Sequence, residues 1–488
     1  MGINVSKENY NQLVVIYGYN ANDFPWKENY NRSIYHTSGL IFNYQGKKYI
    51  VSTRTKIISC KNIVMYHSYY TDNDSVIMRN NLQILFQSIE FNIIILGSVD
   101  HTEFDVSTSE IISGNYNPNN VLKSYNITNN SYQIPTKRSH YYTVRTDMDL
   151  ESETINYTIH VYDIKFIKSV IFDKTFLPEN YMYHFMIKND EQNLVGICGA
   201  VVFNKKNQLI GLVSRTQQEN LFILPTKTLT KIIFEFINNL NTHDKYNGLL
   251  SLPFSYYISK KNMVKIALDC DILTNNDHKQ LKKNDTLISI NNNNLVVEND
   301  RILIFDDDYK EKIPLDIYLK LNIIKNSPIP LSLSRRKKII DIITFGLTKD
   351  IPDIPLTTIS FFFPKFPISF LKVGNLIVVQ LTHELLDITI ANKIIIKNKI
   401  IDTYMESSTI NSFNHIIIID CLDSILAKKY NLPQLNMNLK NQILNCPSIE
   451  TINGNKILTI ENLESVTKND SKIIIDATLY DNDFKIVI

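Results

Sequence analysis

One thiol stands where covalent chemistry could happen. The stretch "LVGICGAVVFNKKNQLIGLVSR", residues 194–215, places Cys198 in a tight turn, Gly196-Ile197-Cys198-Gly199, between two apolar runs that read as strands. A cysteine in such a turn can act as a nucleophile through its thiolate. That chemistry needs a base, because a thiol with a pKa of about 8.5 is only a few per cent thiolate at pH 7. His36 begins an earlier strand, His67 and His101 lie in or after later ones, and His140 and His184 are no better supported. No histidine therefore stands out as the base, and the bland alternative for Cys198 is a small buried apolar residue. Two other clusters read as solvated: "SRRKK", residues 334–338, as a hairpin turn, and "FDDDYKE", residues 305–311, as a loop without the ligand spacing of an EF-hand. No metal or cofactor is expected.

The elements that would position Cys198 are mostly strands. "SGLIFNYQGKKYIVST" is a hairpin through Gln45-Gly46-Lys47, and "NIVMYHSYY", "LQILFQSI" and "FNIIILGSVD" continue in the same β-branched and aromatic style. Repeated hairpins from about residue 30 to 235 predict an all-β barrel or sandwich. Residues 113–139 are polar and Asn-rich, as expected of a surface insertion. "PTKTLTKIIFEFINNL", residues 225–240, is the first amphipathic helix, with Leu229, Ile232, Ile233 and Phe236 on one face, and it closes the first domain. Beyond it, "LKKNDTLISINNNNLVV" reads as turn, strand, turn, strand, followed by the helix "IPLDIYLKLNII" and a hairpin. "SIETINGNKILTIENL" repeats the strand-turn-strand order near the C-terminus, which suggests two related α+β modules.

Composition narrows the function classes. At 488 residues the chain is long enough for two to four cores. Its 51 basic and 49 acidic residues nearly cancel, which argues against nucleic-acid binding. The five cysteines, Cys60, Cys198, Cys270, Cys421 and Cys446, form no CxxC pair, which speaks against a disulfide framework or structural zinc and fits a reducing compartment. There is no run of 18 uncharged apolar residues, so no membrane span is predicted. "MGINVSK" matches the myristoylation pattern at Gly2, with Ser6 at the hydroxyl position and Lys7 beside it. One acyl chain gives marginal, reversible membrane binding.

Taken together, the chain resembles the HtrA/Deg family, chymotrypsin-fold serine proteases followed by PDZ domains, and the likeness runs over nearly its whole length. "HTSGLIFNYQGKKYIVST" resembles the opening barrel hairpin whose second strand runs into the catalytic histidine. "FNIIILG" resembles the strand that begins with the catalytic aspartate, and "GICGAVVFNKKNQLIGLVS" the Gly-x-Ser-Gly-Gly-Pro turn with its following strand pair. "LKKNDTLISINNNNLV" is similar to a PDZ core with Asn284 and Asn293 in place of the usual glycines. "FFFPKFPISFLKVGNLIVVQLTHELL" and the tail "SIETINGNKILTIENLESV" resemble a second, divergent PDZ domain.

This resemblance implies a mainly β chain: an N-terminal segment, residues 1–25; a trypsin-like double β-barrel, 26–240; a PDZ-like α+β domain, 241–350; and a divergent PDZ-like domain, 351–488. It also implies where the chemistry is missing. The histidine position falls on Thr55 or its neighbour Arg54, the aspartate position on Asn92, and the nucleophile position on Cys198. Neither a hydroxyl nor a guanidinium accepts a proton near pH 7, and an amide cannot charge-stabilise an imidazolium. The expected function is a catalytically inactive HtrA/Deg-like scaffold. The alternative is a cysteine endopeptidase using Cys198, since chymotrypsin-fold cysteine proteases of RNA viruses use a Gly-x-Cys-Gly turn; that resemblance implies an oxyanion hole from the backbone N–H groups of Gly196 and Cys198. By resemblance, Gly248, Leu249 and Leu250 in "NGLLSLPFS" would supply the loop that holds a peptide C-terminus, protein partners are implied, and a homotrimer is implied. The expected location is cytoplasmic, at a membrane through a myristoyl group, or within a virion; frequent Asn, Ile, Lys and Tyr with scarce Gly and Ala read as the codon bias of an AT-rich genome, which together with the acyl motif points to a large AT-rich virus.

Overall fold

The computed structural model describes residues 12–21, 24, 26–27, 34–44, 47–55, 57–70, 75–88, 91–99, 110–113, 133–149, 156–174, 177–188, 194, 196–242, 252, 254, 256–266, 281–299, 301–322, 328–345, 370–382, 385–386, 389–390, 392–398, 401, 415–436, 439, 441–457, 473–479 and 482–488. Two compact units result. One comprises Met1–Ala21, Arg32–Lys174 and Pro178–Asp350; the other comprises Asn22–Asn31, Thr175–Leu177 and Ile351–Ile488.

In the first unit, strands β1 (Leu13–Ala21), β2 (Tyr35–Tyr44), β3 (Lys47–Thr53), β4 (Cys60–Tyr70), β5 (Ser75–Ser88) and β6 (Ile93–Ser98) form one sheet, with β7 (Glu110–Ser113) added on β5. The order β4-β1-β2-β3-β6-β5 closes through β4–β5 pairing. A second closed barrel follows from β8 (Tyr141–Asp149), β9 (Asn156–Lys174), β10 (Leu177–Ile187), β11 (Val201–Asn204), β12 (Leu209–Gln217) and β13 (Asn220–Pro225). Numbered from its own first strand, each barrel runs 1-2-3-6-5-4 round the ring, so the two six-stranded barrels share one topology. This is the expected mainly β double barrel. Leu13–Ala21 corrects one boundary: the residues read as an N-terminal segment form the first barrel strand, because "LVVIY" is apolar at successive positions and buried throughout.

Burial explains why the barrel strands read as continuous apolar runs rather than alternating ones. Ile41, Ile50, Ile94 and Leu96 fill the first barrel, while Leu40, Phe42, Tyr49, Val51, Ile93 and Ile95 on the opposite faces of the same strands join a core that includes the second barrel. Helix α1 (Thr226–Thr242) covers that outer face. Its predicted stripe, Leu229, Ile232, Ile233 and Phe236, is buried, and the Phe236 ring lies edge-on to Tyr49 at 5.0 Å, Phe86 at 5.9 Å and Phe42 at 6.4 Å.

The core continues into a third module. It has β14 (Tyr256–Ile258), β15 (Val264–Ile266), β16 (Thr286–Ile290), β17 (Asn293–Glu298), β18 (Arg301–Asp306) and β19 (Glu311–Pro314), then α2 (Leu315–Asn322), β20 (Pro328–Arg335) and β21 (Lys338–Phe345), with β20 pairing β16 and β21. The β16–β17 hairpin pairs Ile290 with Asn293 around Asn291 and Asn292, both at positive φ (50° and 63°). The left-handed positions are thus Asn291 and Asn292 and not Asn293, which already belongs to the strand; Asn284, at φ 69°, does occupy such a position. "SRRKK" is a hairpin turn through Arg336 and Lys337, with Arg335 doubly bonded to Asp285 at 2.9 and 2.7 Å. "FDDDYKE" is not simply solvated: Asp306 is buried and binds Lys227 of α1 through both oxygens, at 2.9 and 2.8 Å.

The second unit contains β22 (Phe370–Val373), β23 (Leu376–Gln380), β24 (Ile394–Lys397), β25 (Ile416–Cys421), helix α3 (Ser424–Tyr430), β26 (Gln442–Asn445), β27 (Ser448–Ile452), β28 (Asn455–Lys456), β29 (Ile474–Leu479) and β30 (Asn482–Val487). Its sheet runs β22-β23-β25-β27-β29-β30, with β24 and β26 paired in parallel apart from it. Asp423 caps α3, accepting from Ile425 N and Leu426 N at 2.8 and 3.1 Å. The β27–β28 hairpin turns through Asn453 and Gly454, both at positive φ, as Asn291 and Asn292 do in β16–β17.

Candidate active-site region

The Cys198 turn is held from both sides. Gly199 N donates to Val213 O (2.8 Å) and Val213 N to Ala200 O (2.8 Å), while Ile197 N donates to Leu194 O (3.2 Å) and Ala200 N to Ile197 O (2.9 Å). Strand β2 grips the other side: Ser38 N donates to Cys198 O (3.0 Å), Thr37 Oγ1 donates to the same carbonyl, and Ser38 Oγ donates to Gly196 O (3.4 Å). Both glycines are required here. Gly196 and Gly199 have φ of 79° and 81°; a Cβ on Gly199 would overlap the Ser38 carbonyl, and one on Gly196 would overlap the His36 ring. Cys198 itself is half-buried.

The positions matched to the catalytic base and its support are brought together. Thr55, exposed at the end of β3, donates from N to Asn92 Oδ1 at 3.0 Å, and its hydroxyl donates to the same oxygen. Asn92 is buried at φ 58°, a conformation asparagine tolerates, and its Nδ2 donates to Ser214 O at 3.3 Å. Arg54 turns the other way: it is 1% exposed and its Nε donates to Gln87 Oε1 at 3.2 Å. Thr53 and Thr37 hydroxyls lie 3.1 Å apart, which links β3 to the carbonyl of Cys198.

A third group of side chains surrounds His36, which the sequence offered only as one of several histidines. The His36 ring abuts Gly196 and stacks on Tyr17 with centroids 5.4 Å apart. The Tyr17 hydroxyl donates to Met148 O at 2.8 Å and to Asp147 Oδ1 at 3.4 Å. Burial, reinforced by the Asp147 charge, pushes the Tyr17 phenol well above its ordinary range. Burial also raises the Asp147 carboxyl, but the Arg145 guanidinium, the Met148 N–H and His36 outweigh it and leave the group below the usual carboxylate range. No local motif announces this cluster, because β1, β2, β8 and the Cys198 turn meet only in the folded barrels.

His67 is buried in β4, and His184 lies 2.7 Å from Asn220 Oδ1 and stacks on Phe222. His140 is exposed ahead of β8, and His101 lies outside the described residues, as do Gly2, Gly248, Leu249 and Leu250. Among the described residues, no helix is long and apolar enough to cross a membrane.

No family model matches the chain. An uncharacterized protein of Acanthamoeba polyphaga mimivirus is 35% identical over 461 residues, covering 93% of both chains. The chain belongs to the family of that viral protein. Among solved structures it is similar to HtrA-type proteases. The serine endoprotease from Yersinia pestis matches at TM-score 0.36 and 12% identity, over 70% of this chain and 96% of that one. The HtrA-type protease AlgW with a tripeptide matches at TM-score 0.39 and 11% identity, over 70% and 94%.

Proposed function

We propose that this chain is an HtrA/Deg-like scaffold without proteolytic activity, in which the double barrel survives and the third module and the C-terminal unit act as PDZ-like sites for protein segments or peptide C-termini. The observation that carries the reading is the Thr55–Asn92 pair. These residues bond to each other where a base and its orienting carboxylate would stand, and neither titrates near pH 7. Loss of the base alone costs on the order of 10⁴ to 10⁶ in rate. The paired hairpins at Asn291-Asn292 and Asn453-Gly454 support two modules of one kind. Reversible membrane contact through acylated Gly2, a homotrimer, and residence in the cytoplasm or a virion belong to the same reading. Purified protein is incubated with an unfolded substrate and, separately, with a thiol-directed probe. The scaffold leaves the substrate intact; cleavage abolished by Cys198→Ala would overturn it.

A second reading is favoured by His36. Its ring lies against Gly196, so an imidazole borders the nucleophile turn; a cysteine endopeptidase would use it as base with a ring nitrogen in hydrogen-bond reach of the Cys198 thiol. In that case His36→Ala would abolish cleavage together with Cys198→Ala.

A further inference from the structure

The C-terminal unit holds a short segment of the chain that is remote from it in sequence. Phe24, Trp26 and Lys27 pack into a unit that otherwise consists almost entirely of residues from Ile351 onward. Phe24 is fully buried in a cluster with Ile377, Val379, Leu381, Ile417 and Ile419. The Trp26 ring stands edge-on to Phe24 at 5.6 Å and lies 5.4 Å from Phe370. Trp26 Nε1 donates to Asp420 Oδ2 at 3.0 Å, and the Lys27 ammonium reaches the same oxygen at 2.8 Å. Asp420, on β25, is 1% exposed, and its other oxygen accepts from Leu435 N at 2.9 Å.

We propose that the C-terminal unit is a recognition module for an aromatic-x-Trp-Lys segment, filled in this chain by Phe24–Lys27, and that a protein partner presenting the same sequence chemistry competes for the site. The arrangement has the parts such recognition requires. An apolar pocket takes the first aromatic ring, and a buried carboxylate takes the indole N–H and the ammonium together. Without the segment, Asp420 would be a buried charge left with the Leu435 N–H, a costly state that drives capture of a donor pair. Specificity comes from side chains that only this order of residues presents: an aliphatic residue for Trp26 lacks the donor, and an acidic residue for Lys27 meets Asp420 with like charge.

The inference deepens the scaffold reading by naming a partner chemistry, and its test reads binding at Asp420 while being blind to catalysis at Cys198. The full-length chain carrying Phe24→Ala and Trp26→Ala is titrated against a fluorescein-labelled peptide of residues 20–31, followed by anisotropy. The peptide is expected to bind this variant at least tenfold more tightly than wild type, whose site is already filled, and Asp420→Asn added to the variant is expected to weaken it at least tenfold. Equal binding to variant and wild type, or indifference to Asp420→Asn, would overturn the proposal. Should the double variant fail to fold, Lys27→Glu serves instead. Trp26 is the single tryptophan of the chain, so its emission reports occupancy. Red-shifted emission in Lys27→Glu supports the site, and unchanged emission overturns it.

Discussion

Lys227 is the place where a single substitution should separate the third module from the second barrel. Its ammonium, 6% exposed, bonds Asp306 Oδ1 and Oδ2 at 2.9 and 2.8 Å, Asp308 Oδ2 at 2.8 Å and Asn322 Oδ1 at 3.1 Å, and sits 5.1 Å from the centre of the Tyr309 ring. Lys227→Met keeps the apolar stem and strands Asp306, which is 1% exposed. Breaking a buried pair from one side costs about 3–5 kcal/mol. Asp306 retains Asn322 Nδ2 and the N–H groups of Asp308 and Tyr309, each at 3.0 Å, so the lower end, about 3 kcal/mol, applies. Hydrogen exchange of α1 and β18–β19 amides should then accelerate by roughly a hundredfold, at 1.4 kcal/mol per factor of ten. Adding Asp306→Asn should recover more than half of the loss, because the orphaned charge goes with it. Lys231→Ala is the control: it breaks the i,i+4 pair with Glu235, a pair worth about 0.5 kcal/mol or less. Exchange in Lys227→Met no faster than in Lys231→Ala would refute the reasoning.

Three further outcomes follow from the same geometry. Gly199→Ala should dislodge the Cys198 turn from β2, since its positive φ and the Ser38 carbonyl both oppose a side chain; increased thiol accessibility at Cys198 is the readout. Phe236→Ala should cost about 3–5 kcal/mol by emptying the space between Phe42, Tyr49 and Phe86, measured as a lowered thermal midpoint of the strand signal. Burial lowers His415 to about 4, so the folded chain keeps it neutral while the unfolded chain protonates near 6.5. Its contribution to stability is complete above pH 6.5, falls between 6.5 and about 4, and amounts to at most about 3 kcal/mol; His415→Gln should flatten that part of the stability profile of the C-terminal unit.

The barrels were legible because their strands are buried on two faces, which writes "LIF", "YIV" and "IIIL" as unbroken apolar runs. Thr55 and Asn92 follow or begin such runs in the sequence, and in the fold the two residues are hydrogen-bonded to each other. The hairpin at Asn291-Asn292 was off by one position because four successive asparagines leave the register to strand pairing, which the sequence does not display. His36 and Phe24–Lys27 were illegible for a deeper reason. Their partners, Gly196 and Asp420, are distant in sequence and belong to no shared motif. Asp306, read as loop solvation, hides a buried partner on α1 in the same way.

On the proposed reading, the double barrel survives without the proton chemistry of a protease at Thr55 and Asn92. The direct measurement is cleavage of an unfolded protein substrate by wild type and Cys198→Ala side by side at pH 7. A scaffold without protease chemistry gives two indistinguishable traces at the level of buffer alone. Turnover by wild type that vanishes in Cys198→Ala would contradict it.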